Sequence, residues 1–238
     1  MIGWLLAAAL QAAVAGPPPE VVAVDGEVIR YEGTISAEGA ARFLTGLAGA
    51  PDVTVLVVNS NGGSIEDAMR MGEAIHARGL DVHVEQKCVS SCANYLFPAG
   101  RRKVIRDDAV VVWHGSAIQD GLWETDGADV TGPDGKSLGW WQRRSLKRAF
   151  RDYGRRMQEE QRALYEKLGV DEQVTVYGQR PGSACREWTF SVADMARFGI
   201  HHVQAAPDYG HRPVRLEGVD WCLIELPPAA GEAGPGSR

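Results

Sequence analysis

The chain has 238 residues, 45% of them apolar and 24% charged, and a formal net charge of −6. That length suits one large α/β domain or two small ones, with enough chain to bury a core, and the composition is ordinary for a globular protein. The acidic balance argues against a nucleic-acid partner, because phosphate backbones are bound by basic surfaces. The one basic stretch, RRSLKRAFRDYGRR (143–156), runs directly into QEEQ and reads as a solvated helix face.

In chain order, MIGWLLAAALQAAVAG is apolar through Leu10 and ends in Ala13-Val14-Ala15, a small-x-small pattern. It predicts a cleaved secretory signal peptide over 1–15 and a periplasmic or secreted protein. The run is shorter than the roughly 20 apolar residues a spanning helix needs. GPPPE then breaks any helix, so 16–27 reads as a linker leading into a first strand. The strand-like pattern extends from Val21 to Ile35, AEGAARFLTGLAG reads as a helix, and VTVLVVN (53–59) as a strand buried on both faces. In SNGGSIEDAMRMGEAIHARG two glycines make a turn, Ser64 caps a helix with Glu66 and Asp67 in its first turn, and Gly79 stops it. LDVHVEQ (80–86) is the next strand, a short helix runs from about Ser91 to Phe97, and AVVVWH (109–114) is a further strand.

Residues 116–140, rich in Gly and Asp, are too long for a simple connection and read as a functional or mobile insertion. An amphipathic helix to about Leu168 follows, with Leu146, Phe150, Tyr153, Met157, Leu164 and Leu168 on one face. GVDEQVTVYGQ suggests a short helix, SVADMARFGI a capped one, and HHVQAA and GVDWCLIEL strands. The tail 227–238 is disordered by composition, leaving 28–226 as one domain. Strands alternating with helices predict an α/β fold with a mostly parallel sheet. The even count of four cysteines agrees with export; the simplest of three pairings is Cys88–Cys92 with Cys185–Cys222. Neither Cys-x-x-Cys nor a His-x-x-x-His partner is present to argue for zinc. His201, His202 and His211 lack a ligand-spaced carboxylate or thiol and read as a polar strand edge, and Trp113 reads as core.

KCVSSCANYLFPAGRRK (87–103) carries the chemistry. A strand ending in a turn, with a serine at the start of a helix, suits a nucleophile, because the helix N-terminus stabilises negative charge nearby. Capping by Ser90 and Ser91 explains the same residues more simply. The neighbouring motifs change that balance. VNSNGGSIEDAMRMGEAI, CVSSCANYLFPAGRRKVI and DDAVVVWHGS occur in the order, and with the features, of the ClpP/crotonase superfamily, and the chain resembles exported ClpP-like serine peptidases. The likeness covers about 28–115 well and REWTFSVADMARFGIHHV (186–203) loosely; Asn61 stands where the family usually has Pro.

The resemblance implies a spiral of β-β-α units and a serine hydrolase working through an acyl-enzyme. It implies Ser91 as nucleophile, His114 as general base and Glu187, where the family has Asp, as the acid. The backbone N–H groups of Gly63 and Cys92 fall on the oxyanion hole, and Gly62 and Ser64 on the substrate-binding edge. Such a triad is chemically coherent: His has the right intrinsic pKa, and a carboxylate fixes its tautomer. Ser90 competes as nucleophile, Asp107, Asp108 and Asp194 as the acid, and Lys103 as base in a Ser–Lys arrangement, although GRRK looks solvent-facing. The implied partner is a peptide or protein substrate, with no ATPase because export removes ATP, no cofactor or metal, and a possible homo-oligomer. A catalytically inactive scaffold that binds a peptide or protein in the same cleft is the alternative. Acyl-CoA chemistry ranks last, since export removes CoA and no basic patch for its phosphates is evident.

Overall fold

In a computed structural model the chain is described over residues 20–125, 131, 137–183, 185–212 and 214–228. The expected signal peptide (1–15), most of the tail and much of the 116–140 insertion lie outside the described residues. The fold is mixed α/β, with a mostly parallel sheet and flanking helices.

The sheet begins with an antiparallel hairpin, β1 (Val21–Asp25) and β2 (Val28–Glu32), closed at Gly26, whose φ of 56° fits a tight turn. Helix α1 (Ala37–Gly49) starts at Ser36, which accepts the Gly39 N–H, and buries Ala40, Phe43 and Leu47. Strand β3 (Val55–Ser60) is parallel to β2, and helix α2 (Ile65–Arg78) opens on Ser64 and closes on Gly79 in the left-handed region. Strand β4 (Asp81–Val89) is the centre of the sheet. It runs parallel to β3 on one side; on the other its first half pairs with β5 (Lys103–Ile105) and its second half with β6 (Val110–Val112). Strand β8 (Val203–Gln204) extends the sheet beyond β5. A small separate parallel pair, β7 (Glu187–Phe190) and β9 (Trp221–Ile224), touches the main sheet through a Trp113–Trp188 bridge.

After β4 the chain makes one π-helical turn, Cys92–Leu96, and a short α3 (Phe97–Ala99). Wide turns of this kind often sit at functional sites. Two contacts hold it. Gly72 of α2 lies so close that an added Cβ would stand 2.5 Å from the Tyr95 carbonyl oxygen. From the long helix α4 (Trp140–Leu168), the Tyr165 hydroxyl donates to the Asn94 carbonyl (2.6 Å), while Gln161 Oε1 accepts from the Tyr95 hydroxyl (2.7 Å). The first half of α4 is mostly exposed, Trp140 and Trp141 strongly so at 62% and 74%. Trp123 anchors the start of the insertion against Phe150 and Tyr153. Helix α5 (Val192–Arg197), capped by Ser191, completes the helical layer. Trp113 is fully buried in the core.

The cysteines pair as Cys88–Cys92 and Cys185–Cys222, which fits an oxidising environment. Among the described residues no helix is long and apolar enough to cross a membrane.

Candidate functional site

The end of β4 and the glycine turn after β3 meet face to face. Gly62 (φ 84°) sits against the Val89–Ser91 turn: a Cβ there would fall 2.5 Å from the Val89 carbonyl oxygen and 2.7 Å from both Ser90 Cβ and Ser91 N. Glycine is required twice over, by sign of φ and by space. Ser60 organises the same loop, donating to the Gly33 carbonyl (2.6 Å) and accepting the Gly62 N–H (3.1 Å). Gly63 (φ 150°) pairs with Ile35, so its backbone is fixed from the far side.

Ser91 is buried, 2% exposed, and leads the π-turn in helical conformation, yet its side chain makes no capping hydrogen bond. Its hydroxyl instead donates to the Gly63 carbonyl oxygen at 2.8 Å. The capping explanation for Ser91 therefore fails; the side chain ties the turn to the glycine loop. Ser90 is partly exposed and holds a left-handed backbone (φ 58°) that non-glycine residues adopt rarely, at active sites among other places. Its N–H donates to the Val112 carbonyl and its carbonyl accepts the Asn94 N–H, so both neighbours lock the strained turn. Among the described residues the backbone N–H groups of Gly63 and Cys92 have no acceptor. The Cys92 side chain is tied to Cys88, so the disulfide brackets both serines.

His114 lies just beyond β6, where the chain leaves the main sheet. The preceding Trp113 exchanges both backbone hydrogen bonds with Trp188, each 2.8 Å, which sets His114 directly opposite Glu187 across an antiparallel step. The two share a cavity of about 800 Å³, with Gln179, Arg180, Arg186 and Trp221 and the Cys185–Cys222 bridge in its wall. The backbone around His114 is clamped: Gln179 Nε2 donates to the His114 carbonyl (3.0 Å) and Asn94 Nδ2 to the Gly115 carbonyl (2.8 Å). The His114 ring itself is exposed. Glu187 Oε2 accepts the Asp220 N–H at 2.9 Å. Among the described residues no hydrogen bond joins Ser91 to His114 or His114 to Glu187, and neither serine lines that cavity.

The rivals lie elsewhere. Asp107 and Asp108 precede β6 while His114 follows it, a separation of ~20 Å for extended chain. Asp194 is committed at the start of α5, accepting from Ser191 Oγ (2.9 Å), Arg197 (3.1 Å) and the Leu226 N–H (3.4 Å). Lys103 is not solvent-facing: it is 5% exposed and pairs with Val82 at the opposite end of β4, ~30 Å from Ser91. Ser64 spends its hydroxyl on Asp67, which it contacts at 2.7 Å while capping α2. Gly62 forms the floor under the serine turn rather than an open edge. No group of metal-ligating side chains occurs among the described residues.

Sequence reasoning missed Gln179 and Asn94, which hold the carbonyls of His114 and Gly115 from two elements; only the pairing of distant segments reveals them. No protein-family model matches the chain, and no curated protein matches it in sequence.

Proposed function

We propose that the protein is an exported serine hydrolase of ClpP/crotonase-like architecture, a peptidase in its simplest form, with Ser91, His114 and Glu187 as the triad. In this reading Ser91 Oγ attacks the substrate carbonyl carbon and passes its proton to His114. The Gly63 and Cys92 N–H groups receive the oxyanion, a contribution of roughly 3 kcal/mol per donor. Collapse expels the amine with the proton from His114, and water then hydrolyses the acyl-enzyme. Glu187 fixes the imidazole after turning from the Asp220 N–H. The observation that carries the reading is the convergence of three distant segments: the Gly62–Gly63 loop packed on the Ser91 turn, with two N–H groups free beside it and Glu187 opposite His114. The mostly parallel sheet and the strand–turn–helix at Ser91 support the superfamily assignment, and the disulfides support export.

One observation favours a second reading. Ser91 donates to the Gly63 carbonyl instead of a base. A hydroxyl kept in that bond makes the protein an inactive scaffold that binds a peptide in the same cleft. Labelling of the mature, oxidised protein with a fluorophosphonate separates the two, with Ser91→Ala and Ser90→Ala as controls. Loss of label only in Ser91→Ala supports the hydrolase, and loss only in Ser90→Ala moves the nucleophile by one residue. A folded protein that takes no label leaves the scaffold.

A further inference from the structure

At the opposite end of the sheet from Ser91, a pocket of about 350 Å³ is lined by His76, Arg101, Lys103, His201 and His202, with no carboxylate among its lining residues. It is at the small end of the range for ligand sites. The five basic side chains come from α2, the turn after α3, β5 and the segment before β8, so the fold rather than a local run gathers them. Its innermost group is the Lys103 ammonium, buried to 5% exposure with three donors. One of them reaches the His201 carbonyl at 3.1 Å; no anion meets the others among the described residues. Arg101 gives its Nε to Asp81 (3.1 Å), which leaves the outer guanidinium nitrogens free. His202 holds a left-handed backbone (φ 57°) while its carbonyl accepts the Lys103 N–H, so strain is maintained in the wall of the pocket.

We propose that this pocket binds a phosphate group, either the free ion or a small phosphomonoester. Five cationic or protonatable donors converging from several directions suit a tetrahedral, doubly charged oxyanion better than a planar carboxylate, which two donors satisfy. The competing explanation is that basic side chains here only complement the ends of α2, α4 and α5, which converge on the same place. Those ends are already capped, with Gly79, Gly169 and Gly199 donating to the last-turn carbonyls. Burial without an anion also pushes the Lys103 amine down to about 8. A bound phosphate reverses that, so ligand binding and Lys103 protonation are linked.

The test uses the full, oxidised chain and two readouts. The first is the melting temperature in phosphate, glycerol 3-phosphate, acetate or chloride at matched ionic strength. The second is acylation of Lys103 by a small activated ester, followed by peptide mass spectrometry. Phosphate at about ten times its Kd raises Tm by about 3–6 °C over chloride and slows Lys103 acylation several-fold. Lys103→Met abolishes the Tm shift and His201→Ala, at an exposed side chain, weakens it. Glycerol 3-phosphate binding as tightly as phosphate points to a phosphomonoester, and binding of phosphate alone to the free ion. A phosphate shift no larger than chloride's, with Lys103 acylated equally fast, overturns the proposal in favour of helix-end complementation, and an equal shift with acetate overturns its phosphate selectivity. Should Lys103→Met not fold, His201→Ala and the protection of Lys103 in the wild type decide the matter alone.

Discussion

Gly62→Ala tests the close contact between the glycine loop and the serine turn. At φ 84° an alanine incurs a left-handed backbone cost of about 1–2 kcal/mol. Its Cβ would also begin 2.5 Å from the Val89 carbonyl oxygen and 2.7 Å from Ser91 N, both backbone atoms that cannot rotate away. Restoring ordinary contact needs a shift of roughly 0.7–1 Å, an overpacking cost of about 1–3 kcal/mol, for a total of about 2–5 kcal/mol. A displacement of that size at a catalytic group costs about a hundredfold in rate. Gly79→Ala is the matched control, since Gly79 has φ 62° and nothing within 4 Å of an added Cβ. It carries the backbone cost alone. The assay is urea denaturation of both variants, alongside the rate of fluorophosphonate labelling. If Gly62→Ala loses no more stability than Gly79→Ala, the loop and turn are not in contact as described, and the site built on that contact falls with it.

His114→Ala leaves unfolding within about 0.5 kcal/mol of wild type, because the ring is exposed, and abolishes fluorophosphonate labelling; retained labelling removes His114 as the base. Replacing Cys185 and Cys222 by Ala costs about 4 kcal/mol by loop entropy, against about 2 kcal/mol for Cys88 and Cys92, because the loops span 37 and 4 residues; guanidinium titrations that reverse the order refute the loop argument. Lys103 gives an alkaline signature. Its folded value of about 8 lies below the unfolded 10.5, so between those values the unfolded chain holds more protons and stability rises with pH, by up to about 3 kcal/mol. Tyr31 and Tyr209, pushed up to about 12 by burial, act oppositely above pH 10, so stability peaks near there. Lys103→Met gains stability at pH 7 and loses the rise, which urea midpoints from pH 7 to 11 will show.

What could be read from the sequence follows from how local each cause is. Helix α2 was legible because Ser64 and Gly79 bound its apolar periodicity within a few residues, whereas the Ser36 cap of α1 came to light only in the structure. Strand β4 was expected to end at Gln86 but continues to Val89, because β6 supplies a partner for Lys87, Cys88 and Val89 that no local pattern announces. Strand β7 was missed for the same reason: EWTF is four residues long, and its pairing with β9 spans 34 positions. Lys103 looked exposed in GRRK because the two arginines beside it are; insertion of β5 between β4 and β8 is what buries it. At the candidate site, the order of the motifs located the loop, the turn and His114. The hydrogen bond Ser91 makes could not be read, since a serine ahead of a helix favours capping on local grounds and only the approach of Gly63 offers it another acceptor.

The three proposed catalytic side chains ride on separate supports, and this bears on how they would come together. Ser91 is fixed to the main sheet through β4, the Cys88–Cys92 bridge and the Gly63 carbonyl. Glu187 belongs to the small β7–β9 pair, which the Cys185–Cys222 bridge closes. His114 stands at the junction, held by Gln179 and Asn94 through backbone carbonyls that leave its ring free to turn. Completing the triad requires at least that Ser91 turn from the Gly63 carbonyl, that Glu187 turn from the Asp220 N–H, and that the His114 ring turn to meet them both. Each of the first two rotations exchanges a hydrogen bond worth about 1 kcal/mol for another. A bound substrate whose carbonyl takes the Gly63 and Cys92 N–H groups would therefore supply enough energy to drive it. On this account the two disulfides act on different parts of the site. Loss of Cys88–Cys92 disturbs the nucleophile and the Cys92 donor, whereas loss of Cys185–Cys222 loosens the acid. The first should depress labelling at every pH. The second should slow labelling to the same extent as Glu187→Gln, because both leave the nucleophile in place and remove only the support of the imidazole.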